Sequence, residues 1–292
     1  MCGAVVGTLA YRRHRAAASV ADLMSRFPTT DSVVLGIDVR TLRGTGVLDL
    51  LAGNRVTEEP DYKIFVEQTG FDYRQDLDYV LVAFDRGETQ MFLRGNFDWG
   101  RLRDYVAAQR GTCRNAFCRL DGSRPERKVS FFPLRRDTMA LVVGTDEWGA
   151  SILQGRPKSR PSFTASDRPV WLSIPAGALK DREDLPAGTR LFAKAMQEAE
   201  RVVISLGPGT GGLEAYLDVS CKTAAEASVL ATQLEGLTAV LRGLLARSNQ
   251  QPNPRDLSGV LVAGKFWPED RQVHGRWPVT PAFLEALAGG SL

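Results

Sequence analysis

Apolar residues along the chain recur in two rhythms, one of about 3.6 residues and one of two. In residues 16–27, Val20, Leu23, Met24 and Phe27 fall at helical spacing, and Pro28 ends the pattern. Residues 32–39 (SVVLGIDV) are rich in apolar residues and predict a buried strand. A helix is expected over 41–51, closed by Gly53, and another over 60–68, opened by Pro60 and ended by Gly70. The alternating runs 79–84 and 89–95, joined by a turn at 85–88, predict a hairpin. Asp98 is placed to cap a following helix whose inward face carries Leu102, Tyr105 and Val106. Beyond an arginine-rich connection, 129–134 and 138–144 predict a second hairpin. Asp146 then caps a short helix with Trp148, Ile152 and Leu153, and 157–166 has linker composition.

The same order then recurs. Residues 169–175 match the first strand, and 188–200 are amphipathic through Leu191, Phe192, Ala195, Met196 and Ala199. Residues 201–206 and 213–222 predict a hairpin. In its second strand Leu213, Ala215, Leu217, Val219 and Cys221 alternate with Glu214, Tyr216, Asp218, Ser220 and Lys222, the mark of a sheet covered on one face. Thr223 caps a long helix, and a polar loop follows at 250–254. A last hairpin is read over 259–266 and 272–279, then a helix over 280–288 with Phe283, Leu284 and Leu287 inward. Matching elements lie roughly 120–140 residues apart, a repeat of pattern rather than of letters. The expected fold class is α+β, with two similar halves, each an antiparallel sheet of hairpins backed by helices on one face. The halves are read as residues 19–156 and 169–292, joined by a linker at 157–168 and preceded by a tail at 1–18.

Composition changes this picture little. Of 292 residues 43% are hydrophobic and 24% charged, and the net charge is only +3, so neither disorder nor a polyanionic partner is indicated. Four cysteines, Cys2, Cys113, Cys118 and Cys221, are too few for a disulfide framework. Cys113 and Cys118 could pair locally in an oxidising compartment, or stay as two free thiols. The N-terminus reads MCGAVVGTLA and then Tyr11-Arg12-Arg13-His14-Arg15. The apolar stretch is short of the roughly 20 residues that span a bilayer. Apolar followed by basic is how a spanning helix meets water, so residues 1–18 are read as the remnant of a membrane anchor, against a plain terminus.

Candidate chemistry is sparse. Gly207-Pro208-Gly209-Thr210-Gly211-Gly212 satisfies a G-x-G-x-x-G pattern, but the segment after it reads as a strand, whereas a phosphate site needs a helix N-terminus there. A glycine-rich hairpin turn is the expectation. There are two histidines; His14 lies in the basic tail and His274 in the last hairpin, where it reads as a surface residue, and no zinc spacing is present. Asp72, Asp76 and Asp78 read as turn caps rather than a paired acid–base site. Neither a metal nor a cofactor is called for, and no catalytic residue is assigned. The clearest anomaly is the basic stretch 101–136, in which Arg114, Arg119, Arg124 and Arg127 are candidates for holding anionic lipid or an acidic partner. Without interleaved aromatic residues, nucleic acid is disfavoured. Trp267 and Trp277 flank the last turn and are candidates for a partner-binding surface, with a core role as the alternative.

Three segments carry a family resemblance: residues 27–39 (FPTTDSVVLGIDV), residues 70–78 (GFDYRQDLD), and Arg94-Gly95-Asn96-Phe97-Asp98 followed by Arg101-Leu102. Together they resemble uncharacterised bacterial envelope proteins of the DUF3352 kind, chiefly over residues 27–110. The resemblance implies an anchored domain on the periplasmic side of a membrane and brings no catalytic residues with it. The function expected is therefore a non-enzymatic, envelope-associated binding or scaffold protein, whose partner is another envelope protein or an apolar ligand. The alternatives are a peripheral, cytoplasmic module that holds an acidic partner or anionic lipid through residues 101–136, and an enzyme of unknown class.

Overall fold

Leu217 and Val219 are buried beneath helices while Glu214, Tyr216, Asp218 and Ser220 occupy the other side of the same strand. The computed structural model describes residues 19–28, 31–52, 60–85, 87–122, 124, 126–155, 163–180, 185–209, 212–249 and 251–288. The expected tail at 1–18 lies outside them. The first half contributes β1 (Val33–Ile37), β2 (Leu77–Asp85), β3 (Glu88–Gly95), β4 (Thr112–Arg114), β5 (Phe117–Asp121), β6 (Lys128–Arg135) and β7 (Thr138–Gly144). The second contributes β8 (Val170–Pro175), β9 (Arg201–Gly209), β10 (Gly212–Ser220), β11 (Lys265–Glu269) and β12 (Gln272–Val279).

These strands form one antiparallel sheet in the order β11-β12-β10-β9-β8-β1-β2-β3-β7-β6-β5-β4. Two separate sheets were expected; instead β1 pairs with β8, in the register Val34↔Ser173, Leu35↔Leu172, Gly36↔Trp171 and Ile37↔Val170. Two sheets would each have left a row of unpaired N–H and C=O groups along an apolar edge strand, and joining β1 to β8 satisfies both rows. Outward from this seam the order is β1-β2-β3-β7-β6 on one side and β8-β9-β10-β12-β11 on the other.

The helices are α1 (Val20–Met24), α2 (Val39–Gly44), α3 (Val47–Ala52), α4 (Pro60–Thr69), α5 (Tyr73–Asp76), α6 (Trp99–Ala108), α7 (Ala187–Met196), α8 (Ala224–Arg247), α9 (Leu257–Leu261) and α10 (Pro281–Ala288). Most cover one face. Val39, Leu42 and Leu48 of α2 and α3 pack on Ile37, Val80 and Val170 at the seam. Residues of α4 and α6 cover the first half, and α7, α8, α9 and α10 the second. The opposite face of the first half is covered too, by Leu23 and Met24 of α1, Phe27, a 3₁₀ turn (Gly149–Gln154), and Phe163 and Ala165. Helices on one face alone were expected; Leu81, Ala83, Phe92, Ala140 and Val142 make the second face of this half apolar as well, so it needs a cover. The tail of the expected linker, residues 163–168, is thus part of the packing, while 156–162 lie outside the described residues.

Smaller departures have local causes. The helix expected over 41–51 is two helices, broken where Gly46 takes φ 74°. Residues 257–261 are helical rather than extended, because the Asp256 side chain accepts from the Ser258 N–H and caps a turn there. The arginine-rich connection contains a hairpin, β4–β5, with Asn115 and Ala116 both at positive φ (48° and 68°), as a two-residue turn of the I′ kind requires. Among the described residues α8 is the one helix long and apolar enough to cross a membrane by length and composition. One stripe of it, Ala227, Leu230, Ala231 and Leu234, is buried on the sheet, while Val229, Val240 and Leu244 are exposed.

Candidate functional site

The face opposite α7–α10 has no helix packed on it among the described residues, and here the alternating polar side chains of the second half become a site. In the β10–β12 register Asp218 stands opposite His274, and Ser220 opposite Gln272. On β9, Arg201 stands opposite Ser220 and Val203 opposite Asp218. Residues 163–168, arriving from the covered half, form a wall. The result is a polar cleft of two adjoining hollows, of about 900 Å³ and 570 Å³, which share Glu200, Ser220 and Gln272.

Its charged groups interact in chains. Arg168 lies 3.6 Å over the Tyr216 ring and donates to Ser205 Oγ at 3.5 Å, while the Tyr216 hydroxyl donates to the Pro208 carbonyl at 3.0 Å. Arg201 is buried; it donates to Ser173 Oγ at 3.0 Å and stacks 4.5 Å over Phe163. Burial lowers the Arg201 pKa, and the charge of Asp31 opposes that shift. His274 Nδ1 lies 2.7 Å from Asp218 Oδ1, Nε2 lies 3.6 Å from Glu269, and its ring faces Trp267 at 5.9 Å. His274 was expected on the surface; it sits instead within the cleft, between two carboxylates. Among the described residues no hydroxyl or thiol is hydrogen-bonded to it, and no three His, Cys, Asp or Glu side chains gather as metal ligands. The arrangement suits recognition of a partner carrying both charge signs.

The residues singled out in the sequence are scattered. Trp267 is 42% exposed on the cleft rim, whereas Trp277 is 8% exposed and packed between Phe192 and Phe266. The pair is therefore not one surface: Phe266 faces the core, which turns Trp267 out. Arg119 is engaged, paired with Glu147, bonded to Thr112 at 2.8 Å and stacked 4.7 Å over Trp148. Arg114, at the β4–β5 turn, and Arg124 and Arg127, in the β5–β6 connection, are exposed. Cys113 and Cys118, directly opposite in that hairpin, form a disulfide, and Cys221 is a buried free thiol. Gly207–Gly209 end β9 and Gly212 opens β10; residues 210–211 lie outside the described residues. A strand follows the glycines, so no helix N-terminus faces them. Asp72 caps α5, Asp76 accepts from the Asp72 N–H, and Asp78 takes two bonds from Arg40. These carboxylates serve structure. Asp38, Asp72 and Asp98 each accept backbone N–H bonds at a helix start.

The cleft itself was missed. The alternation of β10 already put Glu214, Tyr216, Asp218 and Ser220 on one face, but nothing in the sequence showed that this face stays uncovered or that β12 is its neighbour.

No protein-family model matches the chain, and no curated protein is significantly similar to it in sequence. In fold the chain is similar to crystal structures of TP0453. Crystal form I matches with a TM-score of 0.50 and 14% identity over 94% of this chain and 99% of that one. Crystal forms IV and III match with TM-scores of 0.49 and 0.48 over the same 94% of this chain, each at 14% identity. At that identity the likeness is one of fold: a mixed α+β architecture built on a large antiparallel sheet.

Proposed function

We propose that this chain is a non-enzymatic binding or scaffold protein of the cell envelope, and that the polar cleft of its second half receives a partner protein. The observation that carries the reading is the uncovered half-face, on which Arg168, Asp218, Glu269 and His274 stand beside an exposed Trp267. Trp, Tyr and Arg are the residues that most often anchor protein interfaces, and the face offers Trp267, Tyr216 and Arg168. The Cys113–Cys118 disulfide supports an oxidising compartment and hence the periplasmic side of a membrane. The matched strand order about the β1–β8 seam fits an internal duplication.

A photo-crosslinking residue placed at Gln272, in the cleft, is expected to capture a discrete partner band in intact cells. The same residue at Gln233, exposed on α8, is expected to capture none. Equal capture at both positions would remove the cleft from the reading. Thiol alkylation before lysis should find Cys113 and Cys118 blocked; labelled thiols there would place the chain in a reducing compartment.

The exposed Arg114, Arg124 and Arg127 favour a second reading, contact with anionic lipid or an acidic partner. With all three replaced by glutamate, affinity for phosphatidylglycerol vesicles, read by sedimentation, should fall about a hundredfold or more, at roughly 1 kcal/mol per charge removed. Unchanged sedimentation would dispose of this reading and leave the cleft untouched.

A further inference from the structure

A second hollow lies on the helix-covered face of the first half, away from the cleft. Its floor is the inward side of β3, β5, β6 and β7, with Leu93, Leu120, Phe131, Met139 and Leu141 among its residues, and its roof is α4, α6 and the Phe71 and Phe97 loops. The volume is about 210 Å³, larger than the cavity of about 150 Å³ that stays dry and takes up benzene when lined by Leu, Ile and Phe. Its aromatic wall explains why it stays open. Phe71 and Phe97 stack with ring centres 5.1 Å apart, Phe65 meets Tyr105 edge to face at 5.1 Å, and Phe65 meets Phe71 at 6.3 Å. Leu102 and Val106 of α6 pack on Phe131 and Met139, and beside that contact the rings brace one another over a hollow that flexible aliphatic side chains would fill.

We propose that this cavity binds a small uncharged aromatic or hydrocarbon group, of about the size of toluene. The lining offers ring faces and edges and a single polar group, the Tyr105 hydroxyl. Burial raises the Tyr105 pKa and the charge of Asp61 raises it further, so this end of the cavity is uncharged itself and lies near a negative charge. A fatty carboxylate is disfavoured, because a charged headgroup inside would lose its water and the lining carries no charged side chain to replace it.

The test uses the full chain with ¹³C-labelled methionine methyl groups. Among the described methionines only Met139 lines the cavity, and Met196 sits in the core of the other half. Toluene is expected to shift the Met139 methyl signal saturably and leave Met196 in place, while octanoate shifts neither. Leu141→Phe and, independently, Val129→Phe fill the cavity and should abolish the saturable shift, with cooperative melting confirming that each variant folds. Leu245→Phe, which narrows a separate apolar hollow between α7, α8 and α9, should leave it intact. A Met139 signal that does not saturate, persists in the folded filled variants, or responds more strongly to octanoate would overturn the proposal. None of these outcomes bears on the cleft.

Discussion

Trp171→Ala is expected to lower the unfolding free energy by about 3–5 kcal/mol, the range for deleting a fully buried large aromatic side chain. Trp171 is 1% exposed and sits on β8 at the seam, where it lies across Gly36 of β1. Its indole N–H donates to the Tyr79 hydroxyl at 3.2 Å, and Phe163 meets its ring edge to face at 5.9 Å. The substitution therefore opens a void beneath β1, releases the 163–168 segment that walls the cleft, and leaves the hydroxyl of Tyr79, a buried residue, without its donor. Trp171→Phe keeps most of the buried area and loses only the N–H, so its cost should be nearer 1–2 kcal/mol. Urea unfolding measures both. A loss below about 1 kcal/mol for the alanine variant would show that the indole is not a keystone of the seam.

Gly36→Val is expected to cost about 3 kcal/mol, at the upper end for overpacking, from the opposite direction. A Cβ at position 36 would fall within the indole of Trp171, its nearest neighbours being ring atoms. The ring has no room to retreat, because Tyr79 and Phe163 hold it on other sides. Glycine is needed here for space and not for backbone conformation. The two substitutions share one volume, so they should not add: Gly36→Val with Trp171→Ala is expected to be more stable than the sum of the single losses implies, by about 1 kcal/mol or more. Strict additivity in the same urea series would mean that the two residues do not meet.

Local signals in the sequence were read well where their causes are local. Asp98 and Thr223 were assigned as helix caps, and their side chains accept from Gly100 and Arg101 and from Glu226. Pro60 opens α4. The alternation of residues 213–221 gave β10 its two faces, and the same rule explains why Trp277 goes inside with Val273 and Val279 while His274 and Gln272 look the other way. The hairpin β4–β5 escaped notice because three residues a side carry too little alternation, and Asn115-Ala116 is a weaker turn signal than Asn-Gly.

The amino-acid sequence alone decided the α+β class, most of the strands and helices, the capped helix starts and the face on which most side chains lie, because each depends on residues within a few positions of one another. Tertiary structure decided the rest: the fusion of two half-sheets at β1–β8, the cover on the second face of the first half, the bare face that becomes the cleft, and the hollow under α4 and α6. Each of these turns on which distant segment meets a given edge or face. A strand's own pattern says that an edge must be paired and an apolar face covered, but not by which of several equally apolar partners, and that choice is made by shape and volume once the elements pack.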